Sequence, residues 1–192
     1  MNDIKVMIVE DDPVWMKGIS DYIQKENDIT VVKQAPNKEE ALKVHCCNVD
    51  VVLMDLTLSE DDTDLSGLDA AQQLFEKGLK NIIMLTSRDE TEIILEAFDK
   101  GAVNYITKSS YRDIPNAIRA AYHDKVSIHA DVSTVLISEL KKERKIKVLT
   151  PTEREVYDLN KQGLNKVQIA QKLYKSVETI KRQLKIIKSK IN

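Results

Sequence analysis

Val51-Val52-Leu53-Met54-Asp55 is the stretch that decides the fold of this chain. Four consecutive apolar residues closed by a carboxylate predict a short strand, buried on both faces, whose carboxyl end carries a charge. Open α/β sheets bind their ligands at that end of the strands. Two further runs stop in the same manner: Val6-Met7-Ile8-Val9 at Glu10-Asp11-Asp12, and Ile82-Ile83-Met84-Leu85 at Thr86-Ser87. If these strands are parallel neighbours, one rim of the sheet gathers three or four carboxylates and a hydroxyl. That rim is the candidate site.

Outward from this stretch, short apolar runs alternate with longer amphipathic ones. Strands are predicted near 4–9, 29–33, 50–55, 81–86 and 102–106, and helices near 14–25, 37–46, 67–77, 89–100 and 111–123. A fivefold β-α alternation predicts an α/β domain built on a doubly wound, five-stranded parallel sheet. Pro13 suits a first helical turn, Asn37 with Glu40 reads as an N-cap and its capping-box partner, and Gly78 and Gly101 punctuate helix ends. Residues 126–147 change character: Val132, Val135, Leu136 and Leu140 form a short helical stripe before the charged Lys141-Lys142-Glu143-Arg144-Lys145. This segment reads as a linker. From 148 to 192 the pattern is helical throughout. Thr150-Pro151-Thr152-Glu153 starts one helix, Gly163 ends it, and Val167, Ile169, Ala170 and Leu173 mark a second. Ser176 caps a third, which carries Val177, Ile180, Leu184 and Ile187. Three short helices with a tight turn before the last match a helix-turn-helix.

The bulk numbers fit two soluble domains. In 192 residues, 42% are hydrophobic and 31% charged, ordinary globular values. No apolar run approaches the length of a membrane span, and the N-terminus shows no signal-peptide pattern, so no membrane partner and a cytoplasmic location are expected. Cys46 and Cys47 are the only cysteines; as sequence neighbours they suit a reduced compartment better than a mutual disulfide. His45-Cys46-Cys47 reads as a helix end rather than a metal corner. The net charge of −2 hides a division: residues 141–192 carry 15 Lys+Arg and 5 acids (+10), leaving 14 and 26 in the first 140 (−12). The acidic part suits a cation or a basic partner, and the basic part suits nucleic acid.

Carboxylates crowded on one rim repel each other unless a cation neutralises them. Oxygen-only ligands favour Mg²⁺, which binds phosphate oxygens alongside carboxylates. An aspartate beside such an ion can act as nucleophile toward a phosphoryl group. Thr86, ending the fourth strand, offers a hydroxyl to that group, and Lys108, just past the fifth, an ammonium.

These motifs resemble the receiver domain of a two-component response regulator, and nearly the whole chain resembles the NarL/FixJ (LuxR-type helix-turn-helix) subfamily. The matching segments are Ile8 to Pro13, Val52 to Leu56, Met84 to Ser87, Gly101 to Lys108, Leu149 to Val156, Gly163-Leu164 with Ile169-Ala170, and Ser176 to Lys181. The resemblance implies a flavodoxin-like receiver at 1–125, a linker at 126–147 and a DNA-binding helix-turn-helix at 148–192. It implies that Asp55 accepts phosphate from a sensor histidine kinase, and that Glu10, Asp11, Asp55 and the Thr57 carbonyl hold Mg²⁺. Thr86 and Lys108 would bind the phosphoryl oxygens, and Tyr105 would be the aromatic that turns inward when Thr86 moves. In the third C-terminal helix, Lys181, Arg182 and Lys185 would enter a groove of promoter DNA, with Thr179 and Lys188 on phosphates. A homodimer on activation is also implied.

The chain departs from the pattern in places. Ser59 stands where the family has proline, and Glu60-Asp61-Asp62-Thr63-Asp64 lengthens the loop before Gly67; Ser109 replaces proline after Lys108. The chain stops at Asn192, so the fourth helix usual in the family is expected to be missing and dimerisation to fall to the receiver face or linker. The principal reading is a phosphorylation-switched transcription factor. The alternative is a phosphorylation-dependent protein-interaction switch with a degenerate C-terminal domain. An enzyme is not expected beyond self-phosphorylation and self-dephosphorylation at Asp55.

Overall fold

A computed structural model describes residues 3–59, 61, 63–125 and 128–191. Glu60 and Asp62 of the acidic loop, linker residues 126 and 127, and Asn192 lie outside the described residues. The apolar runs form strands β1 (Ile4–Val9), β2 (Ile29–Ala35), β3 (Val51–Met54), β4 (Ile82–Thr86) and β5 (Ala102–Thr107). Every neighbouring pair is parallel, in the order β2-β1-β3-β4-β5. This is a doubly wound order, and its winding reverses between β1 and β3, where such sheets open a crevice at their carboxyl ends. β3 and β4 are buried along their whole length, which explains why their sequences are continuous apolar runs. β2, at the edge, alternates buried and more open positions.

The connecting helices are α1 (Pro13–Ile23), α2 (Lys38–Leu42), α3 (Ser66–Glu76), α4 (Thr91–Asp99) and α5 (Ile114–Tyr122). Pro13 occupies the first turn of α1, and the Asp12 carboxylate caps it by accepting the Val14 amide at 2.7 Å. Two helices are shorter than their patterns predict. The 37–46 helix ends at Leu42 and gives way to a 3-10 turn at Cys46–Asn48. Asn37 does cap it, accepting the Glu40 amide at 2.9 Å, but the Glu40 carboxylate pairs with Lys43. The 111–123 helix is preceded by a 3-10 run, Lys108–Asp113, and becomes α-helical only at Ile114. Pro115 has no amide to give to a helix interior, so the helix starts where that donor is not needed.

Contacts divide the chain into two units, Met1–Val135 and Leu136–Asn192. Helix α6 (Ala130–Ile146) crosses that division, so the predicted linker is largely one helix. Its beginning belongs to the first unit, with Val132 fully buried and the Asp131 carboxylate accepting from the amide and hydroxyl of Thr107 at 3.1 and 2.8 Å. The second unit adds α7 (Pro151–Lys161), α8 (Lys166–Lys172) and α9 (Val177–Ile191). Its core joins Ile146, Leu149, Val156, Leu159, Ile169, Ala170, Ile180 and Ile187. Thr150 and Glu153 form a complete capping box on α7. Among the described residues no helix is long and apolar enough to cross a membrane.

Candidate functional site

The rim foreseen from the strand ends exists. Asp55 continues β3, its amide donating to the Val9 carbonyl at 2.9 Å, and Glu10 continues β1, its amide donating to Ala35 at 3.1 Å. These ladder bonds bring both carboxylates to the crevice between β1 and β3. Asp11 follows Glu10, half-exposed. Asp12 does not join them, because its carboxylate is engaged in capping α1. Carboxylate oxygens of Glu10, Asp11 and Asp55 lie within 4.8 Å of one another.

Lys108 enters from the end of β5 and answers the crowding. Its ammonium reaches Glu10 Oε2 at 2.7 Å and Asp55 Oδ2 at 2.8 Å. The face of Trp15, in the first turns of α1, lies 5.2 Å from the same nitrogen. Burial works to lower the pKa of the Lys108 ammonium, but the hydrogen bonds to Asp55 and Glu10 outweigh it and raise the value. The lysine therefore stays charged. Glu10 is different: burial, reinforced by the charge of Asp55, pushes it up to about 7 despite the hydrogen bond from Lys108. Two buried carboxylates share one cation and are one positive charge short. Oxygen donors without nitrogen or sulfur, clustered this tightly, fit a hard divalent cation.

A cavity of about 400 Å³ opens beside Asp55, lined by Thr57, Thr86, Ser87, Arg88, Glu90 and Lys108. Thr86, 2% exposed at the end of β4, accepts the Arg88 amide at 3.4 Å. Arg88 pairs with Glu90 at 2.7 Å. Tyr105 is fully buried, its hydroxyl donating to the Arg88 carbonyl at 2.8 Å, and burial raises its pKa. Gly67, in the first turn of α3, donates its amide to the Leu56 carbonyl at 2.9 Å. A Cβ there would overlap the Asp55 carbonyl oxygen and lie 2.6 Å from that of Leu56. Only glycine lets α3 start so near the acidic residue.

In the second unit the outward face of α9 gathers Ser176, Glu178, Thr179, Lys181, Arg182 and Lys185 around a recess of about 580 Å³. Lys181 pairs with Glu178 at 3.3 Å. Lys188 is exposed further along the helix and does not line this recess. Ile180 and Ile187 are buried behind it.

Residues 6–119 match the model of the response regulator receiver domain. The chain is 33% identical over 193 residues to the response regulator protein VraR of Staphylococcus saprophyticus, covering 98% of this chain and 90% of that one. It is a response regulator of the NarL/FixJ type. Among solved structures, the Salmonella typhimurium RcsB response regulator superposes with a TM-score of 0.64 at 26% identity, covering 100% of this regulator and 93% of that chain. An RcsB–DNA complex gives 0.61 at 25% identity, covering 99% and 92%.

Sequence reasoning placed Asp55, Glu10, Asp11, Thr57, Thr86, Lys108 and Tyr105, and the structure brings them to one end of the regulator's sheet. It missed Trp15 and the Arg88–Glu90 pair. Nothing in the sequence marks them: an aromatic in an amphipathic helix reads as core, and Arg88 and Glu90 read as loop charges.

Proposed function

We propose that Asp55 accepts a phosphoryl group from a sensor histidine kinase and that this event switches promoter binding by the C-terminal unit. The observation that carries the reading is one buried ammonium, Lys108, shared by Asp55 and Glu10 at the mouth of the cavity. Asp55 is the nucleophile: an oxygen of its carboxylate forms the bond to phosphorus as the donor's bond to phosphorus breaks. Lys108 then turns from carboxylate to phosphoryl oxygen, and the Thr86 hydroxyl gives a second contact. Glu10, Asp11, Asp55 and the Thr57 carbonyl would hold Mg²⁺, which supplies charge neutralisation between the carboxylates and the incoming phosphate. Water reaching Asp55 through the open cavity would reverse the modification, so that self-phosphorylation from a small donor and this self-dephosphorylation are the two reactions assigned to the chain.

The readout runs through Tyr105, whose hydroxyl already reports on the backbone of the loop after Thr86. A local charge event there biases a two-state element. In the second unit, Lys181, Arg182 and Lys185 would meet the groove, and Thr179 and Lys188 the phosphates, as a homodimer on promoter DNA. The DNA complex of RcsB supports DNA binding by a regulator of this type. A mobility-shift titration with acetyl phosphate and Mg²⁺, run at several salt concentrations, tests it. Wild type should bind promoter DNA more tightly after phosphorylation, and Asp55→Ala should not respond. No preference for any DNA over random sequence, in either form, would refute the transcription-factor reading.

A further inference from the structure

We propose that Trp15 is a positioning residue for Lys108, holding its ammonium over Asp55 while the lysine exchanges its carboxylate partners for a phosphoryl oxygen. The inference rests on Asp55 being the phosphoryl acceptor. A lysine ammonium has three donors. Two point to Glu10 and Asp55, and the remaining side faces the indole ring 5.2 Å away, within the range of a cation–π contact. Glu10 and Asp55 are also two of the three carboxylates that fit a divalent cation. Lys108 and such a cation therefore compete for the same oxygens, and the two positive charges repel.

Trp15 is the partner that competition leaves untouched, because a neutral ring is a poor ligand for a hard cation. Without it, an ammonium on a flexible four-carbon stem would be free to swing out of the cavity when Glu10 is taken. The ring itself is fixed. Asp12 caps the turn that carries it, also accepting the Trp15 amide at 3.4 Å, Pro13 stiffens that turn, and the indole packs against the receiver core.

Trp15 is the only tryptophan in the chain, so growth on a fluorinated tryptophan weakens this one ring's cation–π attraction with almost no change of shape. The test compares wild type, the fluorinated protein, Trp15→Phe and Trp15→Leu. Two quantities are read: the rate of phosphoryl uptake from acetyl phosphate at saturating Mg²⁺, and Mg²⁺ affinity by titration calorimetry. In the uptake step an Asp55 oxygen bonds to phosphorus, the donor's P–O bond breaks and acetate leaves. Trp15→Leu should slow uptake by about fivefold, equivalent to about 1 kcal/mol at tenfold per 1.4 kcal/mol. The fluorinated protein should fall between it and wild type, and Trp15→Phe should recover part of the loss. Mg²⁺ affinity should hold or tighten, since a loosened Lys108 competes less for the carboxylates.

A purely structural role would weaken uptake and Mg²⁺ affinity together, and that result overturns the proposal. Wild-type uptake in the fluorinated protein and in Trp15→Leu also overturns it, and if Trp15→Leu does not fold the fluorinated protein decides alone. Phosphoryl uptake by Asp55→Ala at the wild-type rate would instead overturn the acceptor assignment beneath it.

Discussion

Glu10 and Asp55 lean on a single ammonium, and the acid that suffers most is Glu10, pushed up to about 7 from 4.5. A raised carboxylate binds its proton more tightly in the folded state than in the unfolded one. Its stabilising contribution is therefore full below pH 4.5 and is lost as pH rises through 7. Without divalent cation, urea unfolding between pH 5 and 8 should show stability falling with pH, by up to about 1.4 kcal/mol per unit from this group. Glu10→Gln should flatten that slope. Mg²⁺ affinity should run the opposite way and strengthen as pH rises through 7, because proton and metal compete for one carboxylate; calorimetry at three pH values checks it. At this scale the sequence was unusually open. Asp55, Glu10 and Thr86 were legible because each ends an apolar run and so must lie at a strand's end. Trp15 was not, because its contact with Lys108 joins residues 93 apart in the chain and depends on how α1 seats against the sheet.

Helix α3 begins against the backbone of Asp55 and Leu56, and Gly67 is what permits it. Gly67→Ala meets carbonyl oxygens rather than a flexible side chain, so the helix must move. A loss of about 1–3 kcal/mol is expected from such overpacking, together with slower phosphoryl uptake, read by chemical denaturation and by acetyl phosphate labelling. In the second unit the capping box of α7 predicts a loss of about 1 kcal/mol for Thr150→Ala, measurable in the same denaturation experiment. Helix starts were the most reliable local signals: Pro13, Asn37 and Thr150 all open helices. Helix ends were less so. The 37–46 pattern breaks after Leu42 although its apolar spacing continues, and Pro115 delays α5 until Ile114. Neither tertiary outcome follows from periodicity alone. The linker was underestimated too, because a polar stripe hid the length of α6.

Across the whole molecule the charge division, −12 in residues 1–140 and +10 in residues 141–192, separates cation chemistry from polyanion binding. If α9 reads DNA, its lysines and arginine should divide by role. Lys188→Ala should weaken binding to all sequences alike and reduce the slope of log K against log salt by about 0.9. Arg182→Ala should cost about 1–3 kcal/mol on the preferred site and relax selectivity there. Competition binding at several salt concentrations separates the two outcomes. The switch in DNA binding stands downstream of one chemical event at the crevice between β1 and β3. The measurement that reaches it most directly is intact-protein and peptide mass spectrometry after incubation with acetyl phosphate and Mg²⁺. One phosphoryl group is expected, mapped to Asp55, prevented by EDTA treatment before labelling and absent from Asp55→Ala. A phosphoryl group on Asp55→Ala at the wild-type level, or labelling that ignores EDTA, would contradict it.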